Sequence, residues 1–220
     1  MNGVNKAAQH WQQLAFRAAQ PGPSVGHEDL LIMRTLSGEL ARPLLPPEGV
    51  TPRAAGVLIL LYPDGDDVYL PLTVRSETLP NHRGEVSLPG GATDPDDDGP
   101  AATALRECYE ELGVDPRTIE VWGTLTPLYI PPSNFQITPV IGWRPEPPEL
   151  QVSLHEVSAV LTVSLRELLE PERVRVEQWH RRGMDMLVPF FDIAGHKVWG
   201  ATAFVLSEFV ARLRQVRATF

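Results

Sequence analysis

Residues 54–74 read AAGVLILLYPDGDDVYLPLTV. An apolar run, AAGVLILLY, is followed by the turn residues PDGDD, and a second apolar run, VYLPLTV, resumes at once. This is the signal of a β-hairpin, and a hairpin commits the chain to a sheet. The later segments decide which kind of sheet. IEVWGTLTPLYI and FQITPVIGW are two more strand candidates, VSAVLTVSL is another that leads into a short helix (LRELLE), and after two further strand-like pieces GATAFVLSEFVARLRQV closes the chain as an amphipathic helix. Strands and helices do not alternate regularly. The order favours an α/β or α+β fold with a mixed sheet over a doubly wound one.

The first fifty residues read differently. AAQHWQQLAFRAA and HEDLLIMRTL have apolar residues suited to helices, and the proline-rich ARPLLPPEGVTPRA reads as a connector. The expected organisation is a helical N-terminal extension over 1–50 and one main domain over 51–220, within a chain of 220 residues that suits a single core.

Between the hairpin and the next strands, residues 75–98 are rich in Gly, Pro and Asp and must be loop for much of their length. A helix is expected from about Pro100 to Leu112, with Pro100 at its start and Gly113 at its stop. Within it, RECYEELGV places Glu107, Glu110 and Glu111 at helical spacings of three and four. Ala101, Ala104, Leu105, Cys108 and Leu112 form the apolar side, so the three carboxylates are expected together on the opposite face. Arg106 is placed to pair with Glu110.

Two readings of that face compete. On an exposed helix, like-charge neighbours cost only about 0.2–0.5 kcal/mol per pair, so a solvated surface is physically acceptable. Carboxylates at this spacing also suit Mg²⁺, a hard cation that takes oxygen ligands and shares them with substrate phosphates. The turn SLPGG upstream, whose backbone can approach a ligand closely, favours the second reading.

Composition narrows the partners. The formal charge is −9, lysine occurs only at Lys6 and Lys197, and no basic stripe is visible. Duplex nucleic acid is not the expected partner. There is no run of 18 apolar residues and no secretory signal pattern, so no membrane association is expected. The single cysteine, Cys108, allows no internal disulfide and fits a reducing cytoplasm. It falls on the apolar side of the helix, where a buried thiol is inert. The oligomeric state stays open, a homodimer included.

Gly91, Arg106, Glu107, Glu110, Glu111, Gly113 and Val114 together resemble the Nudix box, G-x5-E-x7-R-E-U-x-E-E-x-G-U with U apolar. Two positions depart. Asp97 stands where the first glutamate is expected, and the spacing from it to Arg106 is one residue longer. The resemblance implies a Nudix-type α/β/α sandwich with a mixed sheet, the box forming a loop–helix–loop. It implies a diphosphate hydrolase that uses Mg²⁺ (or Mn²⁺) held by Glu107, Glu110 and Glu111, with Arg106 orienting them. The general base is one of these or a carboxylate outside the box, for which Glu156 is the candidate.

Upstream, PLTVRSETLPNHRGEVSLPGG is similar to the segment that marks coenzyme A pyrophosphatases, L-L-T-x-R-[SA]-x3-R-x3-G-x3-F-P-G-G. Leu72, Thr73, Arg75, Ser76, Gly84, Pro89, Gly90 and Gly91 match, while Pro71, Pro80 and Leu88 depart. The resemblance implies a small-molecule substrate, coenzyme A or a derivative, cleaved to adenosine 3′,5′-bisphosphate and 4′-phosphopantetheine. ADP-ribose, NADH or another nucleoside diphosphate derivative is the alternative, and a non-catalytic Nudix-fold binding module is a more distant one. Arg75, Ser76, His82, Arg83, Gly90 and Gly91 are the expected substrate-binding residues.

Overall fold

A computed structural model describes residues 6–22, 24–76, 84–181 and 183–219. Its elements run α1 (Lys6–Ala19), β1 (Arg34–Thr35), β2 (Arg53–Asp64), β3 (Asp67–Arg75), β4 (Val86–Ser87), β5 (Gly90–Ala92), α2 (Gly99–Leu112), β6 (Glu120–Thr124), β7 (Leu128–Ile130), β8 (Phe135–Trp143), β9 (Val157–Ser164), α3 (Leu165–Leu168), β10 (Val174–Arg181), β11 (Met184–Ile193), β12 (His196–Trp199) and α4 (Gly200–Ala218).

The hairpin forms where the sequence places it. Strands β2 and β3 pair from Tyr62↔Tyr69 to Asp64↔Asp67, turning at Gly65 with φ of 60°. They then splay apart, and the gap is filled by a later segment. Strand β4 pairs with β3 (Val74↔Val86), and β5 pairs with β2 (Ala55↔Ala92 to Val57↔Gly90). The Leu88–Gly91 turn is thereby wedged into the middle of the sheet and not left at its rim. On its other edge β2 runs parallel to β8 from Arg53↔Phe135 to Leu61↔Trp143. The eight-stranded sheet is therefore mixed, in the order β4-β3-β2-β8-β6 with β5, β7 and β9 attached.

Strand β2 shows why helices cover both faces. Side chains alternate across a strand. Leu58, Leu60 and Tyr62 pack with Ala104, Cys108 and Leu112 of α2. Ile59 and Leu61 pack into the opposite cluster with Trp11 and Leu14 of α1 and Leu206 and Phe209 of α4. Burying each such leucine contributes about 1.5–3 kcal/mol before entropy is counted. The result is the expected α/β/α layering. Gly56 lets α2 sit this close, since a Cβ there would run into the Pro100 carbonyl.

Three details differ from the sequence expectation. HEDLLIMRTL is not helical. Residues 27–30 are turns, Arg34–Thr35 form the short strand β1 against β11, and the Leu31 N–H donates to Ser207 Oγ at 2.9 Å. Four consecutive apolar residues, Leu30–Met33, have no helical period, and contacts to α4 and β11 decide their shape. IEVWGTLTPLYI splits into β6 and β7, because Leu125 between them bonds Pro139 of β8. The strand-like pieces before α4 number three: β10, β11 and β12 form a second antiparallel sheet with β1. Among the described residues no helix is long and apolar enough to cross a membrane.

Candidate active site

Helix α2 spans Gly99–Leu112 and ends at Gly113, whose φ of 71° and N–H bond to the Tyr109 carbonyl make a left-handed cap. Its three glutamates do not share one exposed face. Glu110 is exposed, Glu107 is half-buried, and Glu111 is buried at 3% exposure. The reason is positional. Glu111 lies three residues beyond Cys108 and seven beyond Ala104, on the edge of the stripe that packs against β2. The carboxylates therefore grade from solvent into the protein.

Arg106 organises the outer two. Its Nη1 donates to Glu110 Oε2 at 3.1 Å and lies 3.0 Å from Glu107 Oε1. Its Nη2 donates to the Ala92 carbonyl and to Asp97 Oδ2, each at 3.0 Å, and its Nε donates to Asp97 Oδ1 at 3.0 Å. Asp97 also accepts from the Asp94 N–H at 2.9 Å and from Thr103 Oγ1 at 3.0 Å. Led by the Arg106 bonds, these donors hold the Asp97 carboxyl well below the usual carboxylate range. Asp97 faces the guanidinium and not the other carboxylates, so it anchors the loop and Arg106.

Glu111 is the opposite case. Its Oε2 is buried with no hydrogen-bond partner. Burial first, then repulsion from Glu107 and Glu156, pushes its pKa up to about 8, against the pull of Arg75 and the Gly90 backbone N–H. Burial also raises the pKa of Glu107, with Arg106 opposing and Glu110 and Glu156 adding to it. Glu156 itself is exposed, in the loop before β9, and its carbonyl accepts the Ser76 N–H at 2.8 Å. Cys108, by contrast, is fully buried with its thiol pushed up to about 12, which makes it a core residue and no nucleophile.

The Leu88–Gly91 turn abuts this group. A Cβ at Gly91 would run into the Glu107 carboxylate, and one at Gly90 into the backbone of β2. Both glycines line a cavity of about 370 Å³ that is also walled by Arg75, Arg42, Phe135 and Trp199. The structure thus brings together Arg106, Glu107, Glu110 and Glu111, sets Glu156 and Arg75 within electrostatic reach of them, and places Gly90, Gly91 and Arg75 on one pocket wall. Ser76 is buried beside the Glu156 loop. His82 and Arg83 lie outside the described residues. Among the described residues no three His, Cys, Asp or Glu side chains form a ready metal-ligand group. Arg106 pairs with Glu107 and Glu110, while Glu111 has no ion pair with it.

Sequence reasoning missed Gly56, Arg42, Phe135 and Trp199. A lone glycine in an apolar strand run is a recognisable sign of close backbone approach. Phe135 and Trp199 lie in NFQITPVIGW and HKVWGATAFVLSEF, segments similar to those of coenzyme A pyrophosphatases, but nothing in the sequence singles out these two side chains, and nothing ties Arg42 to the cavity.

Comparison with known proteins agrees with this geometry. The model of the NUDIX domain family matches residues 51–187. The chain is 37% identical over 175 residues to a Klebsiella pneumoniae protein named "uncharacterized Nudix hydrolase NudL", covering 80% of this chain and 90% of that one. It is 37% identical over 162 residues to Nudix hydrolase 22, chloroplastic, of Arabidopsis thaliana, covering 70% of this chain and 53% of that protein. Among solved structures it is similar in fold to RenU, a Nudix hydrolase from M. smegmatis, with a TM-score of 0.50 at 22% identity over 76% of this chain and 87% of that one. A family domain that spans most of the chain, with the Arg106–Glu111 helix and the Gly90–Gly91 turn in contact at its centre, makes this protein a member of the Nudix hydrolase family.

Proposed function

We propose that the protein hydrolyses the diphosphate bond of coenzyme A or a derivative, with Mg²⁺ or Mn²⁺ held by Glu107, Glu110 and Glu111. The observation that carries the reading is the shared cavity. Arg75, Gly90 and Gly91, which belong to the coenzyme A-type segment, line one pocket with the carboxylate helix directly behind the glycines.

The residues present fit a hard divalent cation. All donors are carboxylate oxygens, and Glu111 keeps one of them buried and unpartnered. A bound cation supplies positive charge to the diphosphate oxygens and acidifies water. The remaining work falls to the chain. Arg106 pairs with both Glu107 and Glu110 and is itself braced by Asp97. The close approach of Gly90 and Gly91 lets a diphosphate lie against backbone with no side chain between. Arg75 offers a cation whose Nε is buried and unpartnered, suited to a phosphoryl oxygen. In this reading Glu156, whose charge repels those of Glu107 and Glu111, accepts the proton of the attacking water. Water adds its oxygen to one phosphorus, the bridging P–O bond breaks, and two phosphate monoesters leave: adenosine 3′,5′-bisphosphate and 4′-phosphopantetheine.

The test is incubation with Mg²⁺ and a panel of coenzyme A, ADP-ribose, NADH and nucleoside triphosphates, with products read by mass. Coenzyme A should be cleaved fastest. Rapid cleavage of ADP-ribose or NADH beside inert coenzyme A overturns the substrate. No turnover of any compound, with Glu107, Glu110 and Glu111 intact, leaves a binding module.

A further inference from the structure

Arg42 lies in the connector between β1 and β2, ahead of the matched family region at 51–187. Its side chain nevertheless lines the cavity that contains Gly90, Gly91 and Arg75. It is half-buried there, and burial lowers its pKa with no neighbouring charge to offset the effect. Among the described residues it has no hydrogen bond and no ion pair. Removing a cation from water without a partner is costly. A chain of net charge −9 has carboxylates to spare for it, yet burial is the one influence that acts on the Arg42 guanidinium.

The surroundings narrow what would complete it. Ile130, Ile137 and Val205 make much of the wall apolar. The two aromatic lining residues each carry an arginine on the ring: Arg53 sits 4.5 Å from the Phe135 centroid and Arg181 4.3 Å from that of Trp199. Within the cavity itself the charged lining is Arg42, Arg75 and Glu85, so two guanidiniums face one carboxylate. The residues that match the coenzyme A-type segment also lack one cation, since Pro80 stands where that pattern has arginine.

We infer that Arg42 is a specificity-determining residue that receives a phosphate monoester of the substrate, separate from the diphosphate that is cleaved. The inference rests on the cavity being the substrate site proposed above. A guanidinium presents paired N–H donors that match phosphate oxygens in a fork, and a charge-assisted pair of this kind is stronger than a neutral hydrogen bond. For coenzyme A the group is the 3′-phosphate.

The experiment compares kcat/KM for coenzyme A and for dephospho-coenzyme A, which lacks only that phosphate, in the natural protein and in Arg42→Gln and Arg42→Lys. The natural protein should prefer coenzyme A. Arg42→Gln should lower the ratio of the two values by about 10–100-fold, the range expected for one charged hydrogen-bonding partner, with the change in KM and not in kcat. Arg42→Lys should recover part of it. An unchanged ratio, or no preference in the natural protein, overturns the inference. A second measurement separates it from the substrate reading: calorimetric binding of adenosine 3′,5′-bisphosphate against adenosine 5′-monophosphate. Tighter binding of the bisphosphate that Arg42→Gln abolishes, beside inert coenzyme A, upholds Arg42 and removes coenzyme A as the substrate. Equal binding of the two removes Arg42 and leaves diphosphate hydrolysis standing.

Discussion

The two ends of the Nudix-box segment handle a carboxylate in opposite ways. Asp97, before helix α2, accepts bonds from Arg106, Thr103 and the Asp94 N–H, and its pKa is depressed. Glu111, in the last turn, is buried with one oxygen unpartnered, and its pKa is raised to about 8. Both are acidic residues inside one motif. A carboxylate saturated by the protein's own donors holds structure together. A carboxylate left short of donors costs free energy in the folded state, and the proposed function accounts for that cost through a cation that Glu111 would bind.

Glu111→Gln breaks the contrast most directly. Steady-state kinetics should show a loss of roughly 10²–10³-fold in kcat, the scale of removing one charge-stabilising contact. Thermal unfolding without cation at pH 7.5 should show a stability equal to or above that of the natural protein, because the variant removes a buried carboxyl that must take up a proton on folding, while the Gln oxygen can still accept the Gly90 N–H. A fall in both would make Glu111 an ordinary structural residue.

The pH dependence carries the same contrast in sign. Glu111 has a folded-state pKa raised above its unfolded value, so the folded state binds more protons between about 4.5 and 8. Its contribution therefore lowers stability progressively as pH rises through that window, by on the order of a few kcal/mol. Asp97, with a depressed pKa, contributes stability that is present above its unfolded pKa of about 3.8 and lost as pH falls through the folded value. Melting curves between pH 3 and 9 on the natural protein and Glu111→Gln should differ by a downward slope above pH 4.5 that is shallower in the variant, where the raised pKa of Glu107 remains.

Adding Mg²⁺ or Mn²⁺ should raise the melting temperature of the natural protein by several degrees, since 100-fold excess over Kd is worth about 2.7 kcal/mol. The shift should shrink in Glu107→Gln and Glu111→Gln and persist in Cys108→Ala. Calorimetry at pH 7 should also show proton release on cation binding, because Glu111 must ionise to become a ligand.

Asp97→Asn tests the other end with a smaller effect on turnover, about 10–100-fold, as for a residue that orients a functional group from behind. Its melting temperature should fall, unlike that of Glu111→Gln. Smallest of all is Asp97→Glu, which restores the residue of the general box pattern. If anchoring of Arg106 is the only requirement, kcat should change less than in Asp97→Asn, because the carboxylate that Arg106 pairs with is kept.

Much of the fold was legible along the chain. Apolar runs and turn residues marked β2 and β3, and Gly113 marked the stop of α2. The spacing of Arg106, Glu107, Glu110 and Glu111, with the Gly-Gly turn, named the family because metal and phosphate chemistry constrain residue type along a short stretch of chain. The helical reading of HEDLLIMRTL failed because contacts with α4 and β11, distant in sequence, outweighed local preference. Asp97 was visible only as a departure from a pattern, since its meaning lies in where its oxygens point. The same holds for the unequal burial of the three glutamates. Helical spacing predicts one shared face, but how deep each sinks depends on how closely α2 packs on β2 across Gly56. Arg42 carried no local signal whatever. The sequence determined the elements and the chemistry of the box, which are encoded by neighbours along the chain. The tertiary structure alone decided which carboxylate is satisfied, which is stranded, and which arginine from outside the family region reaches the pocket, because those depend on groups that meet only when the chain is folded.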